Sequence, residues 1–222
     1  MKEYGVFDII GPVMIGPSSS HTAGAARLGY MARKIAGDEI NEVVFYLHGS
    51  FAKTYAGHGT DRALLAGVMG FMPDDEEIRE AFVIAQDRGL VYRFEEKDLG
   101  EVHPNTVKIV LYTQGGAVWE ITGSSIGGGK VKIIRINELE VDFAGEYTTL
   151  ITYHRDRPGM IAFISSILAN YNINIAFMKV FRENKGDHAV LIAETDENIS
   201  ESVISEVAKN PHIFQVKVLQ PI

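Results

Sequence analysis

The chain has 222 residues, enough for two modest domains that each bury a core, and its 46% hydrophobic and 23% charged content is that of a globular protein. A formal net charge of −8 with scattered basic residues argues against a nucleic-acid partner; no apolar run suits a membrane helix and no signal peptide is read, so the cytoplasm is expected. With no cysteine, the chain alone offers no disulfide, thiol nucleophile or all-cysteine zinc or cluster site.

Residues 4–10 read as a short strand and residues 11–20 as a loop. Residues 22–35 are rich in Ala and Leu and predict a helix, with Gly37 as its stop signal. Residues 43–47 form a continuous apolar run of strand length, expected to be buried on both faces. A glycine-rich loop then leads to Thr60 and Asp61, which suit the cap of a helix bearing Leu64, Leu65, Val68 and Met69. Pro73-Asp74-Asp75 opens another helix to about residue 87, and strand-like runs follow at 91–94, 107–112, 118–122 and 131–136. Gly115-Gly116 suits a hairpin turn. The pattern predicts an α+β domain over residues 1–143, interrupted at Gly145.

The remainder, residues 146–222, is easier to read. A strand over 146–155 is followed by Arg157-Pro158-Gly159, with Pro158 suited to a first helical position. Met160, Ile164, Ile167, Leu168 and Tyr171 then recur at helical spacing. Ile173, Ile175 and Phe177 alternate as in a strand reaching about residue 182. Asn184-Lys185-Gly186 makes a turn to a partner strand at 189–194. Residues Asn198 to Glu201 resemble a capping box opening a helix with Val203, Ile204 and Val207 inward, and a last strand runs over 213–219. The order βαββαβ is that of a ferredoxin-like unit.

Three segments carry candidate chemistry. In Gly16-Pro17-Ser18-Ser19-Ser20-His21-Thr22, hydroxyls and unpaired backbone N–H groups collect at a helix start, where a carboxylate or phosphate is favoured. His21 is placed there to act as a general base near neutral pH. A structural role is equally consistent, with Ser20 capping the helix and His21 on the surface. The second segment is His48-Gly49-Ser50 with Gly57-His58-Gly59-Thr60-Asp61, where glycines around His58 allow a small molecule to approach; they equally suit a simple turn, and the histidine spacing is a weak metal signal. The third, residues 123–130 with Gly127-Gly128-Gly129, suits an anion nest but reads better as a flexible connection. It lacks the spacing of a Walker A loop or a dinucleotide fingerprint.

Taken in order, Gly16 to Gly24, His48 to Ser50, Gly57 to Asp61 and Ser125 to Gly129 resemble the iron–sulfur-dependent L-serine dehydratases, and the C-terminal unit resembles an ACT domain. The chain is similar to the β subunit of the two-subunit form, in which a separate α subunit supplies cysteines to a [4Fe–4S] cluster; the absence of cysteine fits that division. The resemblance implies conversion of L-serine to pyruvate and ammonia. It implies that Ser18, Ser19, Ser20 and Thr22 hold substrate carboxylate, and that His48, Ser50 and Thr60 belong to the same substrate site. His21 is then the base or a substrate ligand, with His58 the competing base. No metal ligand is expected from this chain.

The ACT-like turn at Asp156, Pro158, Gly159 and Met160 is the implied effector site, with L-serine as the effector to test and a homodimer through paired ACT domains. A dimerisation module that binds nothing is the plainer alternative. A pyridoxal enzyme is disfavoured, since no lysine lies in the signature loop and Lys53 has no phosphate cradle. The principal alternative is a non-catalytic regulatory module, because the first domain also resembles the allosteric substrate-binding domain of some D-3-phosphoglycerate dehydrogenases. A stand-alone sensor acting through ACT dimerisation would leave His21 and His58 unexplained.

Overall fold

The computed structural model describes residues 13–37, 39–182 and 184–221, so the strand expected at 4–10 lies outside the described residues. The chain divides into two compact units between Glu138 and Leu139.

In the first unit, strands β1 (Ile40–Leu47), β2 (Val91–Glu96), β3 (Thr106–Thr113), β4 (Val118–Gly127) and β5 (Lys130–Ile136) line up in the order β2-β1-β3-β4-β5. Strand β1 pairs parallel with β2 and antiparallel with β3, and β3, β4 and β5 follow as antiparallel neighbours. Val43, Val44 and Phe45 of β1 are all buried, as a continuous apolar run requires when both faces are covered. The helices are α1 (Gly24–Ala36), α2 (Gly49–His58), α3 (Thr60–Val68) and α4 (Ala81–Asp87), with a 3₁₀ turn at Glu76–Glu80.

Helix α1 buries Leu28, Met31, Ala32 and Ile35 and stops at Gly37, whose N–H donates to the Arg33 carbonyl at 2.9 Å. Residues 49–58, expected as a glycine-rich loop, are helix α2 instead. The physical reason is that Gly49 and Gly57 lie near its ends, whereas Phe51 is fully buried and anchors the interior. The cap of α3 also differs: Gly59 occupies it in the left-handed region at φ 69°, and Thr60 lies inside the helix. Gly59 closes α2 through an N–H to the Tyr55 carbonyl while opening α3, a corner that a β-carbon would strain. Residues 123–130 are not a flexible connection either. They complete β4 and turn through Gly128 and Gly129 into β5, and Arg27 of α1 donates to the Gly129 carbonyl at 2.8 Å.

Helices α1 and α3 cross almost backbone to backbone. A β-carbon on Gly29 would lie 2.3 Å from the Leu64 carbonyl oxygen, and one on Gly67 would lie 2.1 Å from that of Ala26. Neither neighbour is a side chain that can swing aside. Gly67→Ala should therefore destabilise the first unit by about 2 kcal/mol, the scale of overpacking. A urea unfolding midpoint indistinguishable from the parent's would contradict this close crossing.

The second unit contains β6 (Leu139–Phe143), β7 (Thr148–Arg155), α5 (Met160–Asn170), β8 (Ile175–Arg182), β9 (His188–Thr195), α6 (Glu201–Ala208) and β10 (Ile213–Leu219). Strands β7 to β10 form an antiparallel sheet in the order β10-β7-β9-β8, the ferredoxin-like arrangement expected of βαββαβ. Leu150 and Leu191 of the sheet pack with Ile164 and Leu168 of α5 and Val203 and Val207 of α6. Pro158 precedes α5, whose cap is Gly159 at φ 90°. The expected capping box is absent: Ser200 caps α6 without a side-chain bond, and the Asn198 side chain instead accepts from the Thr148 hydroxyl at 3.2 Å.

His154 is buried in β7 with Nδ1 3.4 Å from both the Thr152 hydroxyl and the Thr152 carbonyl. Burial holds its pKa below the ordinary value of 6.5, although the Thr152 carbonyl and Asp156 oppose the shift. The unfolded chain thus takes up this proton at a higher pH than the folded one. The stability His154 contributes is complete above about pH 6.5 and is lost as pH falls toward the lower folded value, with a slope no steeper than about 1.4 kcal/mol per pH unit. Urea midpoints from pH 7.5 to pH 5 should fall in the parent and fall less in His154→Asn; parallel curves would exclude His154 as a contributor.

Candidate functional site

The serine-rich loop enters α1 through a π-helical turn, Ser19–Ala23. Ser18, not Ser20, is the capping residue: its backbone is extended and its hydroxyl accepts from the His21 N–H at 3.2 Å. Thr22 is buried, its N–H donates to the Ser18 carbonyl at 2.8 Å, and its hydroxyl donates to the His58 carbonyl at 3.4 Å. The two motif loops are thereby tied together. Ser19 and Ser20 are half-buried beside them.

His21 occupies the centre. Its Nδ1 lies 3.4 Å from the Ser18 hydroxyl and its Nε2 lies 3.1 Å from the Ser50 hydroxyl. The Phe51 ring meets it edge-on at 5.4 Å, and the His58 ring is tilted against it at 5.1 Å. Burial lowers the His21 pKa from 6.5, and the neighbouring His58 lowers it further. A neutral imidazole with a hydroxyl at each nitrogen is the state favoured at pH 7. Ser50 reaches this position because its own N–H is anchored on the Pro104 carbonyl at 2.8 Å.

The His58 ring differs in kind. It is exposed at the C-terminal end of α2, its ring nitrogens have no hydrogen-bond partner among the described residues, and it lines a cavity of about 400 Å³ with Gly16, Thr22, Arg62 and Arg79. Arg62 and Arg79 were not among the residues singled out by sequence. Arg62 directly follows the Thr60-Asp61 motif, a signal that was available, but Arg79 arrives only through the packing of the 3₁₀ turn.

Two expected members have different surroundings. His48 precedes α2, and its Nδ1 accepts from the Leu99 N–H at 3.1 Å. It lines a separate hollow with Lys53, Lys97 and Asp98. The Asp98 carboxylate lies 3.5 Å from the same Nδ1, but a nitrogen accepting an N–H carries no proton to share, so this is no ion pair. Thr60 is fully buried and its hydroxyl has no partner among the described residues. Asp61, next to it, has its carboxyl pKa raised by burial despite Arg62, and it accepts the Arg62 N–H at 2.8 Å. The Ser125 hydroxyl is likewise buried without a partner.

In the second unit, the Asp156 carboxylate accepts from Arg182 at 2.7 Å and from the Gly186 N–H at 2.9 Å, and these two bonds hold its pKa low. Met160 is buried, whereas Pro158 and Gly159 are exposed. The described residues contain no group of three His, Asp or Glu side chains suited to a metal ion.

Residues 5–88 match the family described as serine dehydratase beta chain, and residues 148–212 match the ACT domain. The chain is 45% identical over 216 residues to a probable L-serine dehydratase, beta chain, of Bacillus subtilis (strain 168), covering 97% of this chain and 98% of that one. The chain belongs to the L-serine dehydratase β-chain family. A second member, the L-serine dehydratase, beta chain, of Peptoniphilus asaccharolyticus, is 42% identical over 208 residues, covering 93% of this chain and 94% of that one. A more distant likeness is to D-3-phosphoglycerate dehydrogenase of Bacillus subtilis (strain 168), 24% identical over 197 residues; it covers 88% of this chain but 37% of that enzyme. The resemblance read from the motifs is thus borne out at the level of the family. The α+β architecture with a C-terminal ACT domain is borne out with it.

Histidine resonances give a direct check on the central pair. In an NMR titration His21 should show a midpoint below 6.5, and His58→Gln should raise it by removing the neighbouring charge while leaving the burial. An unchanged midpoint in that variant would separate the two rings electrostatically.

Proposed function

We propose that this chain is the β subunit of an L-serine ammonia-lyase that converts L-serine to pyruvate and ammonia, completing an active site with a [4Fe–4S]-bearing α subunit. The observation that carries the reading is the pair of imidazoles 5.1 Å apart at the serine-rich helix start, one hydrogen-bonded at both nitrogens and the other with both nitrogens open. Near full-length likeness to L-serine dehydratase β chains supports the substrate. Having no cysteine and no described metal-ligating cluster, this chain leaves ligation of the iron to its partner. When bound, the cluster supplies a Lewis acid at the hydroxyl that leaves.

This chain's own residues then bind and deprotonate. The hydroxyls of Ser18, Ser19 and Ser20 and the remaining N–H groups of the helix start hold the substrate carboxylate, and Thr22, whose hydroxyl is donated to the His58 carbonyl, ties that loop to His58. His58 takes the proton from the α-carbon, because a base needs an open nitrogen and those of His21 already face Ser18 and Ser50. His21 is the neutral group that orients the substrate beside it, with Ser50 fixing its ring. Loss of the α-proton from C2 and of the hydroxyl from C3, as water, forms 2-aminoacrylate. Its imine tautomer takes up water to give pyruvate and ammonia. Thr60 and His48 support the loops around the site.

The ACT unit acts as a regulatory domain, with L-serine bound near Asp156, Pro158, Gly159 and Met160 and pairing between two copies of the chain. The assembly works in the cytoplasm. A second reading, an anion-binding regulatory module without chemistry, is favoured by the likeness to D-3-phosphoglycerate dehydrogenase.

Anaerobic mixing of the chain with its α subunit, iron and sulfide should produce pyruvate from L-serine, and neither chain alone should do so. His58→Ala should lower turnover by about 10²-fold or more, the usual contribution of a positioned base. An inactive mixture with a loaded cluster and a stable complex would favour the regulatory module, and near-parent activity in His58→Ala would remove that residue from the chemistry.

A further inference from the structure

The helices of the first unit contain several glycines, and all but one are explained by a neighbour. A β-carbon on Gly24 would lie 2.1 Å from the Ser125 hydroxyl oxygen, and one on Gly49 would lie 2.6 Å from the Pro104 carbonyl oxygen. Gly29 and Gly67 meet at the crossing of α1 and α3. Gly57 is the exception. It lies inside α2, outside the left-handed region that would call for glycine. Adjoining backbone aside, a β-carbon there would meet no atom of the described residues within 4 Å. Glycine is a poor helix residue, because it loses more conformational freedom on folding than any other. Alanine would therefore hold α2 better, and no described residue stands in its way. Ala56, Gly57 and His58 are all exposed, so bare backbone is presented outward beside the open imidazole.

A residue that weakens the free chain and fills no internal need points to something that packs on it from outside. The substrate sets how close that body comes. The α-proton leaves C2 of serine and the hydroxyl leaves C3, which are adjacent carbons. The iron that takes the hydroxyl therefore comes within a small molecule's width of His58. This chain has no cysteine to carry that iron, so a second protein surface reaches the end of α2. A side chain at position 57 would hold that surface away, whereas bare backbone lets it close. We propose that the exposed end of α2, Ala56 to His58, is a docking contact for the cysteine-bearing α subunit, which packs directly on the backbone of Gly57. The choice of occupant rests on the lyase reading above; the unexplained glycine does not.

The test compares Gly57→Ala and Gly57→Leu with the parent, each as the full chain. Alone, Gly57→Ala should raise the urea unfolding midpoint, because alanine suits a helical φ and meets no neighbour. Mixed anaerobically with the cluster-loaded α subunit and no L-serine, Gly57→Ala should bind about tenfold more weakly than the parent by calorimetry, and Gly57→Leu more weakly still. A purely internal role would not couple a more stable chain to a weaker complex. A lower midpoint for Gly57→Ala overturns the inference, because this chain itself then needs the space. Parent-like affinity in both variants also overturns it. If KM for L-serine rises at that unchanged affinity, the glycine makes room for substrate and not for the partner. Pyruvate formation by the parent mixture is read separately. Turnover with parent-like affinity in the variants overturns the docking contact alone, whereas weakened variant complexes without parent turnover keep the contact and overturn the lyase reading.

Discussion

The close crossing of α1 and α3 is the constraint on which the site depends. Two glycines let the helices approach until carbonyl oxygens occupy the space that β-carbons would fill. Each helix begins in a motif loop, α1 in the serine-rich turn and α3 in the Gly57 to Thr60 corner. Fixing the helices against each other therefore fixes Ser18, His21 and Thr22 against His58. Rigid elements position a site more sharply than loops do, because their own hydrogen bonds leave little freedom at their ends.

The electrostatics follow from that placement. Bringing two imidazoles within 5.1 Å and half-burying His21 makes a proton on His21 costly and lowers its pKa. His21 also has hydroxyls at both nitrogens, which hold the ring without adding charge. The outer ring keeps its nitrogens open toward a cavity bordered by arginines. One pair of identical side chains thus acquires two characters from burial and hydrogen bonding alone.

The second unit is built on a different balance. Its core is a sheet with two helices, carried by Leu150, Leu191, Ile164 and Val203, and it needs no contribution from the motif residues. The turn before α5 is held by the Asp156 contacts to Arg182 and Gly186. The Asp156 carboxylate at that turn is already engaged, and the capping position of α5 is a glycine without a side chain to offer.

Much of this was legible in the residues themselves. Periodicity of two and of about 3.6 placed the strands and helices of the C-terminal unit within a few residues, since local alternation determines which face is buried. The motif loops pointed to one family, and a chain without cysteine can hold no all-cysteine cluster by itself. Helix α2 was not legible, because glycines near its ends mask an interior that only the burial of Phe51 stabilises. The same limit hid the bond from the Leu99 N–H to His48, the choice of Ser18 as cap, and the presence of Arg79 in the cavity lined by His58. Sequence alone determined which chemical groups are present and which segments bury a face. Tertiary packing alone decided which groups meet, because distances between residues far apart in the chain are set by the closeness of helix backbones and not by local propensity.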